Sequence, residues 1–206
     1  MTHIYQDICI PNDEGQLGFI VGNLNNALLN SWQCFKIASV IYPSVYVVTL
    51  GDTADSLFVA TRFFVGCMVT NVVKYNCDIE HVNGLGKFAR QTLASGVGGA
   101  VGYYSKSSNP LIGMYNGISY EILYNSEHPL KWWIGGPLIE TGEAILRKEN
   151  VKEVELSALG GVLTTFVYKI YDSIGIFELG DDTFANLSGK LVKNLSSTSD
   201  YSLEEL

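Results

Sequence analysis

From residue 37 onward the chain is written as short runs rich in Val, Ile, Tyr, Phe and Thr, each closed by a cluster of Gly, Asn, Asp or Ser. Residues of the first kind suit a pleated, half-buried surface and those of the second kind suit turns, so the pattern predicts strands joined by turns. Strands are expected near 36–41, 44–50, 58–69, 72–80, 97–104, 111–115, 117–124, 131–135, 151–157, 162–171 and 174–179. Turn signals lie at Gly51-Asp52, Asn83-Gly84, Ser107 to Pro110, Asn116-Gly117 and Gly180-Asp181-Asp182. The expected fold class is mainly β.

Two segments follow a different rule. Over residues 14–35, Leu17, Ile20, Val21, Leu24, Leu28, Trp32 and Phe35 recur at a spacing that places them on one face of a helix, with Asn23, Asn26, Asn30 and Gln33 elsewhere. Residues 139–150 form the second candidate, because Glu143, Ala144, Ile145, Leu146, Arg147 and Lys148 are good helix formers. Beyond Gly189 the chain turns polar, and LSSTSDYSLEEL holds too little apolar surface to anchor itself. The expected organisation is one domain over residues 1–189, followed by a mobile acidic tail over 190–206.

Apolar residues make up 47% of the chain and charged residues only 17%, and the mean hydropathy is positive. A chain with so little charge presents an apolar surface, which calls for self-association or contact with a membrane. The formal charge of −8 and the pI of about 4.8 oppose a phosphate backbone, so nucleic acid is not an expected partner. The first residues lack the basic start and apolar core of a secretory signal, and the compartment stays open between a soluble form inside the cell and a secreted one; the sequons at Asn186 and Asn194 matter only in the secreted case. Trp32 to Leu50 and Ser157 to Leu179 approach the length of a membrane span, but Lys36, Pro43, Lys169 and Asp172 interrupt them, and neither reads as a transmembrane helix. Cys9, Cys34, Cys67 and Cys77 are irregularly spaced and read as buried thiols.

No catalytic chemistry assembles from the motifs. His3, His81 and His128 have no ligand at a metal-binding spacing, and a strand would send Cys77, Asp78, Glu80 and His81 to alternate faces. GLGKFA at 84–89 lacks the buried parallel strand that precedes a dinucleotide loop, and Ser95 to Gly99 lacks the lysine of a phosphate loop. No cofactor, metal or enzymatic activity is expected. The aromatic segment carries more: Tyr103, Tyr104, Tyr115, Tyr120, Tyr124, Trp132 and Trp133 suit a surface half apolar and half wet, where rings can receive a quaternary ammonium group. Core packing and cross-strand aromatic pairs account for the same residues without a ligand.

In order along the chain, GQLGF at 15–19, KIA at Lys36 to Ala38, LASGVGGAVGYYSKSSNPLIGM at 93–114, YEILYNS at 120–126 and the tryptophan pair 132–133 resemble segments of the actinoporin-like pore-forming proteins. The resemblance spans residues 14–135. It implies a β-sandwich preceded by an amphipathic membrane-inserting helix, to which the residues themselves add the one further short helix over 139–150. It also implies a lipid headgroup site at Tyr120, Tyr124, Trp132 and Trp133, and an inserting face made of Leu17, Ile20, Val21, Leu24, Leu28 and Trp32. The implied activity is that of a cytolysin that docks on phosphocholine-type lipid headgroups and assembles pores from several copies of itself. The partners would then be a lipid membrane and a homo-oligomer. The same composition also suits a self-assembling structural protein, forming a shell, filament or crystal through large apolar interfaces and having no catalytic activity.

Overall fold

A computed structural model describes residues 15–76, 84–105 and 108–203. Those residues form seven α-helices and no strand: α1 (Gly15–Val48), α2 (Thr53–Asn76), α3 (Gly84–Tyr104), α4 (Pro110–Asn125), α5 (Lys131–Leu146), α6 (Val151–Ser173) and α7 (Ile176–Leu203). The β-sandwich is therefore corrected to a helical bundle. α1 does cover the predicted helix of residues 14–35 from Gly15 on, but it continues to Val48 through two of the expected strands. The helix expected over 139–150 is the second half of α5, which ends at Leu146.

Local signals set several boundaries. Asn109 caps α4 by accepting from the Leu111 amide at 3.0 Å, with Pro110 in the first turn, where its missing N–H costs nothing. Asn150 and Glu153 form a reciprocal capping box at the start of α6. At the end of α1, Leu50 and Gly51 take positive φ, and the Gly51 amide reaches back to the Tyr46 carbonyl at 2.8 Å.

α1 to α6 pack in chain order, each against the next, and α6 closes on α1, while α7 lies against α1 and α6. From α2 to α5 successive helices run antiparallel, as the opposed pairs Gly66–Gly98 and Arg62–Gly102, Gly99–Gly113 and Ser95–Gly117, and Tyr120–Glu140 and Asn116–Glu143 require. Tightest is the seam between α3 and α4, where a Cβ on Gly99 would strike the Gly113 carbonyl and one on Gly117 would strike the Ser95 carbonyl. Only glycine allows two backbones to approach so closely. Cys34 of α1 and Cys67 of α2 are joined as a disulfide, with Cα atoms 5.4 Å apart, in place of the expected thiols. Cys9 and Cys77 lie outside the described residues.

Polar side chains take an unusual share of the interior. The largest fully buried side chains are Glu143, Cys34, Ser44 and Ser56, set among a small apolar core that includes Val40, Ile41, Ile112 and Ile139, whereas Leu57, Leu93, Leu138, Leu159 and Phe166 stand exposed on four different helices. Among the described residues, Thr53–Tyr75 is the one helix long and apolar enough to cross a membrane by length and composition, and 22% of its apolar window is buried in the bundle. It lies between the two stretches that the sequence singled out. Thr61 and Thr92, both pointing outward, donate to the carbonyls four residues back, Leu57 at 2.7 Å and Phe88 at 2.8 Å. Thr hydroxyls commonly bond back to the preceding turn in this way.

Candidate functional site

The centre of the bundle holds charge. Arg62, in the first half of α2, crosses to Glu143 of α5, its Nη2 lying 3.2 Å from Oε1, and the two are 4% and 1% exposed. Asn116 of α4, also buried, donates to the other oxygen of Glu143. Arg147, one turn further along α5, approaches the same Oε1 at 3.3 Å and pairs with Glu149 at 3.0 Å. Glu149 lies in the connection after α5, where partial burial raises its carboxyl above the ordinary range and Arg147 opposes the rise. Tyr103 of α3 places its ring under the Arg62 guanidinium, 3.8 Å from ring centre to Cζ.

Each partner is delivered by a different helix. Arg62 reaches the centre because α2 and α3 approach closely at Gly66, Gly98 and Gly102, where any larger residue would meet backbone. Asn116 and Tyr103 face it across the glycine seam of α3 and α4. Separating these charges from water costs several kcal/mol per ion, and a buried pair offsets that only when its remaining hydrogen-bonding groups are also satisfied, as they are for Glu143. Removing one member leaves a buried charge behind.

A second carboxylate stands one turn earlier on α5. Glu140 accepts a hydrogen bond from the Tyr120 hydroxyl at 2.6 Å, and among the described residues no lysine or arginine lies within ion-pair distance of it. Towards the opposite end of the bundle, Glu121 of α4 takes Lys74 of α2 at 2.9 Å and the Ser95 hydroxyl of α3 at 2.6 Å. No group of His, Cys, Asp and Glu capable of holding a metal occurs among the described residues.

The residues that the sequence pointed to are dispersed. Tyr120 faces inward onto Glu140, away from any headgroup site. Tyr124 and Trp132 do meet, edge to face at 6.5 Å, on either side of the α4–α5 connection, and Lys131 sits over both rings at 5.5 and 5.6 Å while donating to the Tyr124 and Ser126 carbonyls. Trp133 is exposed on the outer face of α5. Trp32 donates from Nε1 to Asp181 at 2.8 Å and stacks on Phe184 of α7, and Lys36 pairs with the same Asp181 at 2.7 Å. Leu17, Ile20, Val21, Leu24 and Leu28 belong to α1, but their side chains lie outside the described residues.

The inner network was missed: Arg62, Tyr103, Asn116, Glu140 and Glu143 were not singled out as a group. The signal for the charged members is one or two charges in an apolar run, Arg62 in SLFVATRFFVGCMV and Glu140 with Glu143 in WWIGGPLIETGEAIL. Read as strand, such a charge simply turns to solvent. Read as helix in an apolar medium, it demands a partner. No family model, curated protein or solved structure matches the chain.

Proposed function

We propose that this chain is a membrane protein of the carrier or channel kind, with α1 to α6 embedded in the bilayer around a buried ionic centre, α2 being the one helix among the described residues that meets the length and hydropathy of a full span, and with no enzymatic activity. The observation that carries the proposal is where the groups lie: Arg62, Glu143 and buried hydroxyls share the interior with a small apolar core that includes Ile112 and Ile139, while large apolar side chains such as Leu57, Leu93, Leu138 and Phe166 stand outside. Ionisable groups placed inside a membrane bundle are costly and serve ions, protons or polar solutes. The 16-residue helices α4 and α5 are about 24 Å long, short of a hydrocarbon core of roughly 30 Å. Lys131, its amine held on the Tyr124 and Ser126 carbonyls and flanked by the Tyr124 and Trp132 rings, puts a cation and two amphipathic rings at their junction, a combination suited to the headgroup boundary.

Membrane contact thus carries over from the sequence expectation, while a headgroup site on a sandwich does not, since no strand exists among the described residues. The self-assembly alternative would cover the same apolar faces with further copies. Flotation separates the two: after expression and cell lysis, the protein is layered at the bottom of a density gradient and centrifuged. A membrane protein rises with the lipid fraction and resists extraction by alkaline carbonate. Protein that pellets without lipid would refute the proposal in favour of assembly.

A further inference from the structure

We propose that Glu140 is a proton-binding site within the bundle, taking up and releasing one proton while Glu143 stays fixed to Arg62. The inference rests on the membrane reading and assigns its ionic centre a ligand. Two carboxylates lie one helical turn apart on α5, and the cations are unevenly shared between them. Glu143 has Arg62 and Arg147, while Glu140 has neither and is held by the Tyr120 hydroxyl alone. Counting Arg62, Arg147, Glu140, Glu143 and Glu149 leaves one negative charge in excess, and one proton removes it.

Tyr103 gives the independent observation. It is 3% exposed, and its hydroxyl lies close enough to interact with both Glu143 and Glu140 while making no hydrogen bond of full geometry. The Arg62 Nε–H, also buried, has no acceptor. Buried donors left incompletely paired beside two carboxylates give the centre groups that can re-form their hydrogen bonds as Glu140 gains or loses a proton. Around Glu140 the facing groups are Arg62 from α2, Tyr103 from α3, Tyr120 and Asn116 from α4, and Glu143 and Arg147 from α5 itself. α6 brings Thr165 and Gly161 to the neighbouring turn, with no charge. In the proton-loaded state Oε1 continues to accept from Tyr120 and the proton resides on Oε2; release restores the carboxylate, with Tyr120 still donating to it.

The test is infrared difference spectroscopy of the full chain in lipid nanodiscs during a pH titration, following the C=O stretch of protonated carboxyls. The expected result is a band that Glu140→Gln abolishes and that Glu121→Gln leaves in place. Tyr120→Phe, which deprives the carboxylate of its donor, shifts the midpoint of that band to higher pH and covers the case in which Glu140→Gln does not fold. A purely structural role for Glu140 would leave that midpoint where it is. An unchanged band in Glu140→Gln, or an unmoved midpoint in Tyr120→Phe, overturns the proposal. Failure to enter lipid at all refutes the membrane reading instead, and the flotation assay detects it separately.

Discussion

Replacing Gly99 or Gly117 by alanine tests the seam on which the whole interior depends. At Gly99 the new methyl would strike the Gly113 carbonyl oxygen and sit 2.9 Å from its carbon, and at Gly117 it would lie 2.8 Å from the Ser95 carbonyl carbon. Both obstacles are backbone rather than the end of a flexible side chain, so α3 and α4 must move apart. Overpacking of that kind costs about 2–3 kcal/mol, towards the upper part of its usual range. Alanine returns part of the loss, since it is better than glycine inside a helix by about 0.5–1 kcal/mol. The net expectation is a loss of about 1–2 kcal/mol for each variant. Gly189 supplies the control, because a Cβ there meets nothing within 4 Å, and Gly189→Ala should gain about 0.5–1 kcal/mol from propensity alone. Thermal unfolding in detergent micelles, followed by far-ultraviolet circular dichroism, reads all three. If Gly99→Ala and Gly117→Ala stabilise the protein as Gly189→Ala does, the two backbones are not in contact and the seam is wrong.

Three further outcomes follow from the same geometry. Arg62→Met strands the Glu143 carboxylate and should cost about 3–5 kcal/mol, most of it regained in Arg62→Met/Glu143→Gln, with unfolding of the single and double variants deciding. Reducing the Cys34–Cys67 bond, 33 residues apart in sequence, should cost roughly 3–4 kcal/mol by loop closure and lower the unfolding temperature, while Cys34→Ser should then be insensitive to reductant. Asn150→Ala removes the capping box of α6 and should cost about 1 kcal/mol in the same unfolding assay.

The sequence displayed some of this and disguised the rest. α1 was visible because its first half keeps a helical spacing, and the turns at Gly51-Asp52 and before Pro110 are real because one follows the positive-φ end of α1 and the other holds the Asn109 cap. The expected strands failed for one shared reason. Runs such as LFVATRFFVGCMVTNVV in α2 and GGVLTTFVYKI in α6 are rich in β-branched and aromatic residues, which favour strands in water and serve equally well on the outward face of a helix in lipid. Glycine misled in the same way: Asn116-Gly117, read as a turn, is the middle of α4, where Gly117 makes room for α3 and Asn116 reaches Glu143. Tyr120, chosen as a headgroup ligand, lies at the right place for chemistry but faces Glu140. These misreadings share one origin: residue type was read as half-buried sheet, whereas the same apolar runs lie along helices.

The membrane reading is tested most directly by attaching nitroxide labels, one at a time, to cysteines placed at Leu93, Leu138 and Phe166, after replacing the four native cysteines with serine. These positions lie near the middles of α3, α5 and α6 and are exposed on the bundle's outer faces. In lipid nanodiscs, each label's relaxation by oxygen, which concentrates in hydrocarbon, is compared with its relaxation by a water-soluble nickel chelate. A membrane bundle predicts that oxygen dominates at all three positions. Dominance of the nickel chelate at these sites would contradict the account, because those faces would then stand in water.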